Sequence, residues 1–211
     1  MWISTVPYEE SEGELRDAYE RQARALGEPT EMTMAGSLHP PIVAARLDLY
    51  AATEKCPSSI TPHQRNLISY VTSALNGTPY CMSQVTVKLR QTGFDDVTIV
   101  ALGTDPMGVA ATLPAADAAL VRDTVRLTRE PGSITERDID DLRAAGFDDL
   151  AIVDANAQCA HLNYVNRVAN GLGIHTIVDP DFPAYAAIPD AGPSAQNAPK
   201  PPSPVSRNRT R

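Results

Sequence analysis

Long apolar runs, a disulfide framework, clustered histidines and a surplus of basic residues are all missing from this 211-residue chain. No apolar stretch approaches the roughly 20 residues a membrane helix requires, so a helical membrane protein is excluded. Met1 to Pro7 holds neither a basic residue nor the apolar segment of a secretory signal. The three cysteines, Cys56, Cys81 and Cys159, are odd in number and widely spaced. They read as free thiols in a reducing compartment, which makes the expected location cytoplasmic. The four histidines show no paired spacing, so no metal is expected. Cys159 and His161 stand two apart, and residues two apart on a helix do not share a face. The chain has 18 basic and 26 acidic residues, a net charge of −8. Four of the basic residues and one of the acids lie in Ala187 to Arg211, so the body before them carries −11. That charge repels phosphate backbones and anionic lipid, which argues against nucleic acid and membrane partners.

What is present is a helical pattern over an adequate core, with 43% apolar residues. Ser11-Glu12-Gly13-Glu14 has the form of a capping box, and a helix is expected from there to about Gly27. Pro40-Pro41 opens a helix with Val43, Leu47 and Tyr50 on one face. Thr61-Pro62-His63-Gln64 is a second capping box, and Asn76-Gly77 stops the helix it starts. Pro79 starts the next, ending near Gly93. Further helices are expected from Pro114 to about Glu130, after Ser133-Ile134-Thr135 up to Gly146, and from Asp148 to Gly171. No segment alternates with period two over a useful length, so the fold class is all-α. The helical domain is expected over residues 1–178. Val178 to Pro183 reads as extended. Residues 179–211 form a tail whose Pro-, Ala- and Ser-rich later part lacks the apolar content to order itself.

One corner is written twice. Leu89 to Val100 matches Leu142 to Val153 at eight of twelve positions. Each copy holds a helix end, a glycine able to take positive φ, a phenylalanine and an aspartate placed to cap the next helix. Two related helical halves are expected, and Thr98 to Leu102 is read as helix because its counterpart is.

The stretch Asn76 to Val85 carries the most chemical information. Tyr80-Cys81 opens a helix just after a break, Thr78 stands three residues before the cysteine, and Gln84 and Val85 stand three and four after it. Together with Trp2-Ile3, Tyr19-Glu20-Arg21, Ser37-Leu38-His39-Pro40, Leu47-Asp48-Leu49-Tyr50, Val71 to Asn76, Leu142 to Asp149 and Asn163 to Arg167, this stretch resembles the alkylhydroperoxidase D / carboxymuconolactone decarboxylase superfamily. The nearer branch is the one called peroxidase-related, and the resemblance covers roughly residues 1–175.

The resemblance implies an all-α, alkylhydroperoxidase D-like fold and a homo-oligomer. It also implies a site built on a CxxC pair, a histidine one turn later and a glutamate on the preceding helix, with no cofactor. Cys81 matches the peroxide-attacking cysteine. Thr78 stands where the resolving cysteine belongs, Gln84 and Val85 where histidines are frequent, and Asn66 where the glutamate belongs. A two-cysteine cycle needs a disulfide that threonine cannot form. The helix N-terminus is expected to lower the Cys81 pKa somewhat. Asn66, Thr78, Tyr80, Cys81 and Gln84, with Val85, are expected to line a neutral, polar pocket for an uncharged small-molecule substrate. The leading expectation is therefore a diverged, cofactor-free enzyme acting on a small metabolite. The alternatives are a catalytically silent binding or scaffold protein, and a one-cysteine peroxidase resolved by an external thiol.

Overall fold

The structure, a computed structural model, describes residues 1–179 and 181–185. Among the described residues ten α-helices follow one another: α1 (Gly13–Leu26), α2 (Glu31–Met34), α3 (Pro40–Lys55), α4 (Pro62–Leu75), α5 (Pro79–Gln91), α6 (Asp96–Thr104), α7 (Pro106–Ala110), α8 (Ala115–Arg129), α9 (Glu136–Ala144) and α10 (Asp149–Leu172). Short 3₁₀ turns occur at Tyr8–Glu10, Pro131–Ser133 and Pro183–Tyr185. No strand occurs among the described residues. The all-α expectation is correct, although the short helices α2 and α7 carried no signal strong enough to read.

Helix α4 is the axis of the molecule. Every residue from Arg65 to Ser73 is buried, and the helix packs against α5, α8 and α10. A helix buried all round must dispose of its polar side chains internally. Ser69, Thr72 and Ser73 do so by donating to the carbonyls of Arg65, Ile68 and Ser69, at 2.7, 2.8 and 2.8 Å. One apolar cluster joins Leu67, Tyr70 and Val71 of α4 to Leu89, Ile99, Leu102 and Val121. A second joins Ile68 to Leu120, Leu142, Phe147 and Ile152. Truncating a side chain as enclosed as Leu67 to alanine costs about 2–5 kcal/mol.

The local signals explain where the helices start. Gln64 N–H donates to Thr61 Oγ1 at 3.2 Å while Gln64 Oε1 accepts from Thr61 N–H at 2.9 Å, so this capping box is complete. The Ser11-Glu14 box does not form. Ser11 Oγ instead donates to the Tyr8 carbonyl at 2.6 Å, closing the 3₁₀ turn before the helix. Glu12 then occupies the cap position without a side-chain bond.

The repeated corner adopts one conformation in both copies. Gly93 and Gly146 have φ of 98° and 100°. Phe94 N–H bonds the Leu89 carbonyl, and Phe147 N–H bonds that of Leu142, each at 3.2 Å. Asp95 and Asp148 each accept from the amide three residues on, at 2.7 Å. Even the flanking ion pairs recur: Arg90 meets Asp96 and Arg143 meets Asp149.

The stretch after α10 departs from the extended reading. Asp179 takes a φ of 59°, and its carboxylate accepts from Arg90 at 2.9 Å. The chain then turns Phe182 and Ala184 into the first cluster, with the Arg90 guanidinium 4.8 Å from the Phe182 ring centroid. Phe182 and Ala184, with Ile177 packed alongside, bring this stretch back to the core. The expectation of a tail without order falls, from residue 186 onward, outside the described residues.

Candidate functional site

Cys81 is the third residue of α5 and lines a cavity of about 230 Å³. Six helices and the loop before α2 build its wall. From α3 come Arg46, Tyr50 and Glu54, four residues apart and therefore stacked on one face. From α5 come Tyr80, Cys81, Gln84, Val85 and Lys88, and from α10 His161, Leu162 and Val165. Helix α4 contributes Ser69; α1 and the loop before α2 contribute Gln22, Leu26 and Thr30, and α2 contributes Met32. Leu26, Gln84 and Lys88 are exposed and mark the mouth, whereas Arg46, Cys81 and His161 are buried.

Of the residues singled out from sequence, the structure brings Tyr80, Cys81, Gln84 and Val85 together. Asn66 and Thr78 are buried but are not among the lining residues. Thr78 Oγ1 makes only a long 3.5 Å contact to the Asn76 carbonyl. Nor is the cavity neutral, as the substitutions in the motif suggested. Arg46, Glu54 and Lys88 all reach it from positions outside the part of the motif that was read. His161 does too, facing the cavity while Cys159 faces the other way, toward Thr72, Thr128 and Asn163. The signal that could have found the α3 residues is the Arg46, Tyr50, Glu54 spacing. It was masked because the same helix also shows an apolar Val43–Leu47 face. For His161, 80 residues beyond Cys81, sequence spacing offers no signal.

Burial sets the electrostatics. It pushes the Cys81 thiol up to about 12, against the lowering expected from its helix-start position. The field of a helix end is worth about 0.3–1 kcal/mol and falls off within a turn. Full removal from water is the larger effect and disfavors the thiolate. His161 is held down to about 4, first by burial, then by Arg46, with Glu54 opposing. It is therefore a neutral imidazole at physiological pH, and its Nδ1 is buried without a hydrogen-bond partner. Its ring lies 6.2 Å from that of Tyr50, whose phenol burial keeps protonated. Glu54 is fixed from below: Gln158 of α10 donates to its Oε1 at 2.5 Å and to Ser69 Oγ at 2.8 Å.

A larger hollow of about 590 Å³ lies between α8 and α9, lined by Arg122, Asp123, Arg126 and Asp138 among others. Its most prominent charges neutralise each other, with Arg126 and Asp138 2.6 Å apart. It offers less free chemistry than the Cys81 cavity. Among the described residues no three His, Cys, Asp or Glu side chains converge to hold a metal ion, and no helix is long and apolar enough to cross a membrane.

Residues 40–121 match the carboxymuconolactone decarboxylase family. That segment runs from the start of α3 into α8 and supplies the α3, α4 and α5 walls of the cavity. No curated protein matches the chain. Among solved structures, the chain is similar to an uncharacterized peroxidase-related protein from Silicibacter sp. TM1040 (22% identity, 86% of this chain and 91% of that one, TM-score 0.68). It is also similar to an alkylhydroperoxidase AhpD core protein, likewise peroxidase-related, from Ralstonia eutropha JMP134 (20% identity, 86% and 94%, TM-score 0.74). A third is the debrominase Bmp8, in a variant solved with 2,3,4-tribromopyrrole (14% identity, 82% and 90%, TM-score 0.66). At such identities these structures establish the shared fold. In sequence over residues 40–121, and in fold over most of its length, the chain is thus similar to proteins of the alkylhydroperoxidase D / carboxymuconolactone decarboxylase superfamily.

Proposed function

We propose that the chain is a diverged enzyme of this superfamily that acts on a small organic molecule by acid–base chemistry rather than by a peroxidase cycle. The observation that carries this reading is the meeting of His161, Tyr50, Glu54 and Cys81 on one cavity. A neutral imidazole with a free nitrogen can accept a proton from a bound molecule. A protonated tyrosine and a protonated thiol can donate hydrogen bonds to an oxygen that gains charge. Reduction of peroxide needs a thiolate, and a thiol at about 12 supplies almost none. Thr78 supplies no partner sulfur either. The first point weighs against the one-cysteine peroxidase and the second against the two-cysteine cycle. The debrominase neighbour is named for chemistry on a small halogenated ring, which is compatible with a substrate of this size here.

The test is turnover. Small lactones, halogenated aromatics and alkyl hydroperoxides are incubated with wild-type, Cys81→Ala and His161→Gln proteins and followed by mass spectrometry. The expected result is turnover of a non-peroxide substrate that falls at least about tenfold in His161→Gln. Hydroperoxide reduction that depends on Cys81 would sink the proposal. Turnover of nothing in the panel, with retained binding, favours the silent binding protein.

A further inference from the structure

Two arginines are buried among the described residues, and they differ in how far their donors are used. Arg65 is 6% exposed and points both terminal nitrogens at carbonyls at the end of α3, those of Thr53 and Cys56. Arg46 is 9% exposed and makes one hydrogen bond, from Nη2 to Thr33 Oγ1 at 2.5 Å. No carboxylate pairs with it among the described residues. A guanidinium carries five N–H donors, so most of its capacity is unused by protein partners, and Arg46 lines the Cys81 cavity as well as an apolar hollow beside α2 and α10. Glu54, the carboxylate two turns along the same helix, is held by Gln158 instead. Burying a cation without a counter-charge is costly, and a group that stays charged there calls for an anion. Burial does pull the Arg46 guanidinium below its ordinary value, but arginine remains a cation in proteins.

A second group points the same way. His161 is 3% exposed, lines the same cavity and leaves Nδ1 without a partner. The other walls near these groups are apolar, supplied by Met32, Val85, Leu162 and Val165. We propose that the cavity binds a small, largely apolar monocarboxylate, its carboxylate clamped by Arg46 and its body lying along Cys81 and His161. This deepens the acid–base reading and rests on it. The planar fork of arginine matches a carboxylate with two parallel bonds. A dianion is disfavoured because its second charge would meet Glu54, the half-buried carboxylate of the wall. Lys88, the remaining cation, stands exposed at the mouth and is better placed to attract the ligand than to hold it.

The experiment is calorimetric titration of the full chain with benzoate and with benzamide, which share shape and differ in charge. Wild-type protein is expected to bind benzoate at least about tenfold more tightly. Arg46→Met should erase that preference while leaving benzamide binding in place, Arg46→Lys should keep part of it, and Lys88→Met should keep nearly all. Should both Arg46 variants fail to fold, the wild-type preference and its survival in Lys88→Met decide alone. Equal affinities overturn the clamp but leave the cavity reading intact. A preference that survives in Arg46→Met, or is lost in Lys88→Met, overturns it as well. Binding of neither probe overturns it too, and if Arg46→Met then also changes the oligomeric state, the missing anion belongs to a second copy of the chain. The acid–base reading itself is judged separately, by turnover in His161→Gln.

Discussion

Gln158 donates its side-chain amide to Glu54 across 2.5 Å, joining α10 to α3 beneath the cavity. The same nitrogen also reaches Ser69 at 2.8 Å, so three helices meet at one fully buried side chain. The pairing engages the one carboxylate that lines the cavity among the described residues, and that carboxylate forms no ion pair with Arg46. Gln158→Leu should leave Glu54 and Ser69 without that donor. A buried polar group so orphaned costs about 1–3 kcal/mol, and urea unfolding of the variant at pH 7 should show a loss of that size. A change below about 0.5 kcal/mol would mean that water substitutes for the amide.

His161 should make the protein acid-sensitive. Its folded value of about 4 lies below the ordinary 6.5, so protonation favours the unfolded chain. Above pH 6.5 the residue is neutral in both states and the native contribution is intact. As pH falls from 6.5 toward 4, stability declines by as much as about 3 kcal/mol. Unfolding curves at pH 7.5, 6 and 4.5 for wild type and His161→Gln should converge in shape only if this assignment is wrong; the expected outcome is a shallower loss in the variant.

Asp123 should show the opposite dependence. Burial, with a smaller push from Asp138, raises its carboxyl to about 6. A group raised in the folded state contributes most when protonated, below about pH 4, and loses that contribution as pH rises through 6. Asp123→Asn should therefore stabilise the protein at pH 7.5 by about 1–2 kcal/mol after allowance for its partial exposure to solvent. At pH 4 the two proteins should unfold at the same urea concentration.

Cys81 should be slow toward electrophiles. With its thiol at about 12, only about three molecules in 10⁵ are ionised at pH 7.5. Cys56 is exposed and should be alkylated first. Peptide mass spectrometry after brief iodoacetamide treatment is expected to find Cys56 modified and Cys81 at least about 100-fold behind. The Cys81 rate should still be climbing at pH 9. Rapid labelling of Cys81 at neutral pH would restore the thiolate chemistry that its burial argues against.

Three left-handed glycines should not be equal. Gly93 and Gly146 have open space where a side chain would begin, so alanine there costs only backbone strain, about 1 kcal/mol. At Gly173, φ is 70° and a Cβ would lie 2.4 Å from the Trp2 ring. Trp2 is also tied to α10 by its amide, 2.9 Å from the Leu172 carbonyl. Gly173→Ala should lose clearly more stability than the other two, and Trp2→Ala in the same chain should recover the excess.

Much of the frame was legible in the sequence because its signals are local. A capping box such as Thr61 to Gln64, a proline at a first helical position, or the Gly-Phe-Asp-Asp corner each acts within a few residues. The Ser11 box shows the limit, since a neighbouring turn claimed its hydroxyl. The candidate site was half legible for the same reason. Tyr80, Cys81, Gln84 and Val85 share one turn and a half of helix and could be read together. Arg46 and His161 are 115 positions apart in sequence, and only the packing of α3 against α10 makes them neighbours of one cavity. Nor does a sequence show whether a cysteine at a helix start is wet or dry, and that decided the sign of its pKa shift.

The doubled corner fixes both principal walls of the chamber. One copy ends α5 just after it has presented Cys81, and the other launches α10 toward His161. Each hinge is secured by its own glycine, aspartate and arginine, all remote from the chamber itself. The hinges are thus separate from the contents: none of these glycines, aspartates or arginines lines the interior. An architecture of that kind lets a lineage trade one reaction for another while its skeleton stays still.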